Sequence, residues 1–528
     1  MKTLTGLGTL IRFVLRRDRL RIPIWILAIA GIILSSAAGV SEVYATQQEL
    51  DAYAESIGSN PAVVAMNGPP YALRTTGGVV VYETVLIAVI GVVLMSLLLV
   101  TRHTRAEEET GRAELIQAGV VGRHAGLAAT LIVVGAVNLL LGAILIVGLI
   151  SLDLPVEGSV AYGFATIGLG LAFAALAAVT SQITEYARAA AALAAAIFGI
   201  AYVVRAAGDV GSGFLSWFSP IGWAQAIQAY GDERWWTLLL LFGLAGVLTL
   251  LAFRLESRRD LGAGLIPARP GPPHASNFLA RPLGLAGRLQ RAAMIGWAVG
   301  IFLLGIIYGS MTSSVSELVE SNPELREVLA QQGVGLIDSF LSTAVLTTSL
   351  IVAACAIQSM LRLRAEETAG RIESVLATAT SRVGWAISHA SVALVGSAVI
   401  VVLGGLGIGL AFAISIGDWG QVPRLVGAAI VTIPAVWLLG ALGLALFGIA
   451  PRAVALAWAF LAFCFVAGTL GRALDLPDWV VEVSPFQHTP GLPADDLTIA
   501  PLIVLSAIAI ALAIVGLTFF QRRDLSLS

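Results

Sequence analysis

The sequence predicts an all-α, polytopic membrane protein, with about twelve transmembrane helices arranged as two parallel six-helix repeats. Three observations carry this. Of 528 residues, 58% are hydrophobic and 12% charged, about half the charged share of a soluble protein, and mean hydropathy is +0.90. Apolar runs of roughly twenty residues recur along the chain, long enough at about 1.5 Å per residue to cross a ~30 Å hydrocarbon core. Charged motifs of the first half return in the second, in the same order.

The predicted spans are 22–40, 79–100, 127–150, 159–180, 189–205, 236–253, 292–311, 339–361, 390–416, 425–449, 454–471 and 498–519. The first follows Arg16, Arg17, Arg19 and Arg21 and could mimic a signal peptide. Its length, and an internal counterpart that cannot be one, predict a retained span. Alternate connecting segments hold 25 of the 31 basic residues. Positive segments stay inside, so a multi-pass plasma-membrane protein with both termini cytoplasmic is expected. The opposite segments are acid-rich, with Glu42, Glu49, Asp51 and Glu55 in one and Glu317, Glu320, Glu324 and Glu327 in its counterpart. Two further outer segments, 206–235 and 472–497, carry Trp and Ser-Pro pairs. They read equally well as short interfacial helices or as loops bearing an aromatic belt.

The duplication is detailed. Arg105-Ala106-Glu107-Glu108, with Gly111, Arg112 and Glu114, returns at a shift of 259 as Arg364-Ala365-Glu366-Glu367, with Gly370, Arg371 and Glu373. Arg16, Arg19 and Trp25 return as Arg288, Arg291 and Trp297, Ser219-Pro220 as Ser484-Pro485, and Arg258-Arg259-Asp260-Leu261 as Arg522-Arg523-Asp524-Leu525. Six spans per repeat bring the chain back to its starting side, which makes the repeats parallel, about an axis along the membrane normal. The expected domains are 1–261 and 283–528, joined by a linker, 262–282, rich in Pro and Gly and suited to solvent.

The two charged loops are the candidate site. Read as one helix, Glu108 and Arg112 pair at i,i+4, and Glu107, Gly111 and Glu114 share a face. Glycine inside a helix costs about 1 kcal/mol against alanine. Its presence in both copies predicts a close backbone approach, or a break between two short helices. Solvation constrains charge but not order. Motifs that keep their order while the flanking spans differ predict a docking surface, used twice by two copies of one partner.

Several functions are excluded or weakened. A net charge of −2 and no basic patch give no support for nucleic-acid binding. Lys2 is the only lysine, so a GxxxxGK[ST] phosphate loop is absent. Cys355 and Cys464 lie in apolar runs and read as small core residues; five His without ligand spacing predict no metal, and no cofactor is expected in this chain. Span interiors lack carboxylate chains, which favours an apolar or amphipathic cargo over an ion. Arg205 with Asp209, and Arg472 with Asp475, occupy matching outer ends, as a structural ion pair in each half or as an outer gate. Glu83 and Asp338 sit at span ends where they can reach water, and His124 and His389 read as interfacial residues opening the span after each charged loop.

With its charged loop between spans two and three, the chain resembles ABC-2 type permeases. Its double set of spans is similar to the fused twelve-span actinobacterial permeases grouped with polyketide-antibiotic, tetronasin-type, exporters. The charged loops carry the resemblance, together with Ser219-Pro220 and Gly222-Trp223, Ser484-Pro485-Phe486, and Arg258 to Gly262. It implies that each charged loop is a coupling helix on a cytoplasmic ABC ATPase, two copies of which hold ATP and Mg. Arg105, Glu107, Glu108, Gly111, Arg112 and Glu114 would face one copy, and Arg364, Glu366, Glu367, Gly370, Arg371 and Glu373 the other. Arg12, Arg16 and Arg19, with Arg288 and Arg291, resemble the family's connecting helix, or equally a positive-inside anchor. The implied function is a permease subunit, not itself an enzyme, exporting hydrophobic or amphipathic, antibiotic- or drug-like small molecules out of the cell. The rivals are an ion-gradient-driven secondary transporter, which should show paired mid-span charges, and a membrane-integral enzyme, which should cluster His, Asp or Glu.

Overall fold

The computed structural model describes all residues except 1–2, 45, 58–60, 268–270, 272, 275, 280, 322–334, 471–476 and 525–528. No strand occurs among the described residues. The chain divides into two compact units, Met1–Gly271 and Pro272–Ser528, with separate apolar cores.

The first unit holds α1 (Leu7–Arg17), α2 (Arg21–Val43), α3 (Gln47–Ile57), α4 (Pro61–Asn67), α5 (Thr76–His103), α6 (Arg105–Glu109), α7 (Arg112–Gln117), α8 (Ala125–Ser151), α9 (Val156–Ile183), α10 (Ala187–Val210), α11 (Pro220–Gln225) and α12 (Thr237–Glu256). The second holds α13 (Pro282–Ser321), α14 (Leu336–Met360), α15 (Arg362–Thr368), α16 (Arg371–Leu376), α17 (Arg382–Ile416), α18 (Gln421–Val431), α19 (Ile433–Ile449), α20 (Leu456–Leu470), α21 (Asp478–Val481) and α22 (Ala500–Arg522). Among the described residues, eleven helices are long and apolar enough to cross a membrane, and the shorter apolar helix Leu456–Gly468 occupies the place of the eleventh predicted span. The all-α polytopic reading is borne out.

In the first unit α5 and α9 are the most enclosed helices, surrounded by α2, α8, α10 and α12. Small residues let backbones meet, which is how helices associate where lipid replaces water. A Cβ added at Gly142 of α8 would stand 3.1 Å from the carbonyl of Gly163 in α9, and the converse distance is the same. In the second unit α13 and α17 do likewise. A Cβ at Gly305 would come within 2.4 Å of the Gly404 carbonyl, and one at Gly407 equally close to that of Phe302.

The structure departs from the predicted pattern in two places. Predicted span ten is two helices, α18 and α19, meeting at Thr432. Pro434 can donate no backbone hydrogen bond there, and the Thr432 hydroxyl turns to Ser349 Oγ at 2.6 Å and the Ala429 carbonyl at 2.8 Å. The segments before the first span of each unit also differ. In the first unit a turn at Asp18 separates α1 from α2, and the buried Asp18 carboxylate accepts from Arg102 at 3.2 Å and meets His103 at 2.5 Å. At the shift that relates Arg16 to Arg288, the counterpart of Asp18 is Gln290. Gln290 stays inside a continuous helix and faces His389. Arg288 and Arg291 therefore lie on the spanning helix α13 itself and not on a separate connecting helix.

Both segments expected to lie outside contain short helices: a 3-10 turn, Leu215–Phe218, with α11 in one, and α21 with a 3-10 turn, Pro485–His488, in the other. Ser219 caps α11, its hydroxyl accepting from the Ile221 N–H. A serine before an N1 proline is a strong helix start, which accounts for the Ser-Pro signal at that site.

Candidate functional site

Beyond α5 the chain turns through α6, then breaks at Gly111, where φ is +71; Gly370 repeats the break between α15 and α16 with φ +68. No atom lies within 4 Å of a Cβ added at either glycine. The residue is needed for its left-handed backbone, not for a close approach. Each charged loop is thus an elbow of two short helices, and the single-helix reading is corrected: Glu108 does not pair with Arg112.

Glu108 instead turns inward. Arg259, just beyond α12, donates Nη2 to Glu108 Oε1 at 2.5 Å and Nη1 to Oε2 at 2.7 Å, while its Nε donates to Gln182 of α9 at 2.7 Å. Arg105 also pairs with Glu108. In the second unit Arg523, at the end of α22, donates Nη1 and Nη2 to the two oxygens of Glu367, both at 2.7 Å. Its guanidinium lies over Phe447 and Phe520, 4.9 and 5.2 Å from the ring centres. Arg364 stands 3.6 Å from the same carboxylate. Two-pronged arginine–carboxylate bonding is the strongest and most directional form of such a pair. The two motifs that recur in the sequence, Arg-Ala-Glu-Glu and Arg-Arg-Asp-Leu, therefore grip each other within each unit.

A third arginine holds the clamp. Arg123 Nη2 donates to the Arg259 carbonyl at 3.0 Å, and Arg382 Nη1 to the Arg523 carbonyl at 3.1 Å. Sequence reasoning missed this pair, and the signal was present: Arg123 and Arg382 stand at the same 259 shift as the charged loops. It also noted Arg259 and Arg523 as a repeat without giving them a partner. Arg17, read with Arg12, Arg16 and Arg19 as part of the basic segment that resembles a connecting helix, pairs with Glu107 and ties α1 to the first elbow. Glu366 pairs with Arg362 at 2.8 Å and Arg371 at 3.3 Å.

The predicted partner-facing set is therefore split. Arg105, Glu107, Glu366 and Glu367 are buried and bonded within their own unit. Exposed are Arg112 and Glu114 on α7, with Leu115 at 78%, and Arg371 and Glu373 on α16. Arg12, Arg16, Arg19, Arg288 and Arg291 are exposed as well.

At the other end, Arg205 is fully buried. It donates Nη2 to the Ala65 and Met66 carbonyls at 2.9 and 3.0 Å and Nη1 to Asp209 at 3.2 Å, with its guanidinium 4.5 Å over the Tyr202 ring. This is the geometry of a structural pair joining α4 to α10. Arg472 and Asp475 lie outside the described residues. Asp338 pairs with Arg424 at 2.7 Å on the surface, and Glu83 accepts from the Tyr53 hydroxyl at 3.2 Å. His124 stands at the start of α8, makes no side-chain capping bond there, and meets Glu256 at 2.6 Å. His389 is not at a helix opening: it lies two turns inside α17, buried against Gln290 and Trp385. Cys355 and Cys464 are buried free thiols of the second core.

Fold and site together define the class: a multi-pass α-helical membrane protein whose two units carry matched elbow clamps. Comparison with known proteins is more specific. The chain is 40% identical, over 524 residues, to the multidrug efflux system permease protein Rv1217c of Mycobacterium tuberculosis (strain ATCC 25618 / H37Rv), covering 98% of this chain and 95% of that one. Residues 279–521 match the family model of the C-terminal domain of the multidrug efflux system permease Rv1217c. The chain belongs to this family of efflux permeases.

Proposed function

We propose that this chain is the membrane-embedded permease of an ATP-driven exporter of the ABC-2 type, with ATP and Mg held on two copies of a separate cytoplasmic ATPase. The observation that carries the reading is the elbow itself, built twice. Its exposed arm, α7 or α16, offers charge of both signs to a partner. Its inner arm is continuous with a spanning helix and is clamped to the end of the unit's last helix. A push on the exposed arm is thereby delivered to α5 and α12 together in the first unit, and to α14 and α22 in the second.

The remaining parts follow the same reading. The arginine-rich end is cytoplasmic, as are both termini, and the repeats 1–261 and 283–528 are parallel. The relative is named a multidrug efflux permease, which supports a hydrophobic or amphipathic, drug-like cargo here. Apolar span interiors with few carboxylates agree with that cargo.

The test is ATPase stimulation. The chain is purified with its ABC ATPase and compared with a double variant, Glu114→Arg with Glu373→Arg. Both residues are exposed, so folding should be unchanged within about 0.5 kcal/mol. Stimulation by a hydrophobic substrate should fall at least about tenfold, the effect of losing roughly 1.4 kcal/mol of coupling. Undiminished stimulation with an intact complex would remove the elbows from the energy path.

A further inference from the structure

The short helix α1 leads into the first span, α2, through the turn at residues 18–20. Its inner face packs on the unit's core through Ile11 and the buried Val14. Arg12 and Arg16, one turn apart, occupy the opposite face. Arg19 in the turn and Arg21 at the start of α2 continue the row, and all four are exposed.

This row of charge is not compensated within the chain. Of the arginines from 12 to 21, Arg17 alone forms an ion pair among the described residues, with Glu107. Asp18, the one acid in the stretch, is buried and bonded to Arg102 and His103. Large apolar side chains stand between the free arginines: Phe13 and Leu15 are 44% exposed, Leu20 70% and Ile24 63%. Facing only water, or a hydrophilic partner, they would stay hydrated. A surface that mixes cations with large apolar side chains matches the headgroup level of a bilayer, where phosphates lie beside the first carbons of the acyl chains.

The face is held in place at both ends. The Gly122 and His124 N–H groups donate to the Thr5 and Thr3 carbonyls at 2.9 and 3.1 Å. A Cβ at Gly122 would stand 2.3 Å from the Thr3 carbonyl oxygen, so a side chain there would push the two segments apart. At the far end Arg17 and Asp18 fix α1 to the first elbow and to α5. Charges on a fixed helix meet their partners at less entropic cost than charges on a loose basic tail. The second unit is built otherwise. Arg288 and Arg291 lie along the continuous helix α13. Ser381, the counterpart of Gly122 at the 259 shift, caps α17, accepting from the Gly384 N–H at 3.0 Å.

We infer that the outer face of α1 is a docking surface for anionic phospholipid, with Arg12, Arg16, Arg19 and Arg21 on headgroup phosphates and the apolar side chains between them among the upper acyl groups. Arginine suits phosphate because its planar fork bonds two oxygens at once. A headgroup of net negative charge is selected, because a zwitterionic one carries its own cation beside the phosphate. The surface goes beyond the export reading and does not depend on the energy source, because it is detected by binding to the chain alone.

The test is native mass spectrometry of the full chain, without ATPase, titrated in detergent with phosphatidylglycerol and phosphatidylcholine. Phosphatidylglycerol should be retained in preference. Arg12→Gln, Arg16→Gln and Arg19→Gln together should lower its affinity at least about tenfold, given about fivefold per arginine near an anionic surface. All three residues are exposed, so the fold should be kept, and the corresponding triple lysine variant, which keeps the charge, should retain most of the binding. Arg281→Gln, Arg288→Gln and Arg291→Gln remove the same charge from the second unit and should leave the affinity near that of the wild type. No preference for phosphatidylglycerol in the wild type, or an equal loss in the two glutamine variants, would overturn the assignment. So would lipid binding that survives the first glutamine variant while an ABC ATPase no longer co-purifies with it, which would make the face a protein contact.

Discussion

Alanine at Arg259 or at Arg523 is expected to destabilise its unit by about 3–5 kcal/mol, the cost of leaving a buried charge without its partner. The two sites are not equivalent. Without Arg259, Glu108 still has Arg105 beside it, so the loss should lie at the lower end. Without Arg523, Glu367 is fully buried with only Arg364 at 3.6 Å, and Phe447 and Phe520 lose the cation above them. The second loss should be the larger. Replacing both members of a clamp by methionine should restore much of the stability, because apolar pairs of similar volume often match a buried ion pair, yet leave transport impaired because the link to the last helix is gone. Melting temperatures of the purified single and double variants, beside transport rates, check both statements. Single variants that melt like the wild type would show that the clamps hold nothing.

The second large effect is expected at Arg205. Methionine there leaves Asp209 buried with only the Ser216 hydroxyl, at 2.5 Å, and strips the Ala65 and Met66 carbonyls of their donor. A loss of about 3 kcal/mol follows from the uncompensated charge, with no new cation permeability. Melting and cation flux in proteoliposomes are the two readouts. A cation leak without loss of stability would instead mark Arg205 as a gate.

The fold was legible because the bilayer reads the sequence almost directly: a run of apolar residues long enough to span is a helix. Even so, hydropathy averages over the break at Thr432, since an interrupted span is as apolar as a continuous one. The elbow glycines were visible as residues, but sequence left two reasons for them open, and only the backbone angle at Gly111 and Gly370 decided between them. The clamps were harder. Glu108 and Arg259 are 151 residues apart, and Glu367 and Arg523 are 156. Each member had been noted in a separate repeat, and no local rule joins positions so distant. Charge also misled: Glu107, Glu108, Glu366 and Glu367 look solvated in a hydrophilic loop, whereas Arg17 of α1 holds Glu107, Arg259 just after α12 holds Glu108, Arg523 just after α22 holds Glu367, and Arg362 and Arg371 hold Glu366.

The most direct test of the proposal that work enters from outside through the two elbows is transport in proteoliposomes of defined composition. The chain is reconstituted with its ABC ATPase and a hydrophobic fluorescent dye, with ATP supplied on the elbow side. Dye movement should require ATP, persist when proton and sodium gradients are collapsed, and stop with Glu114→Arg and Glu373→Arg together. Dye movement driven by an imposed ion gradient, in vesicles that hold this chain and no ATPase, would contradict it.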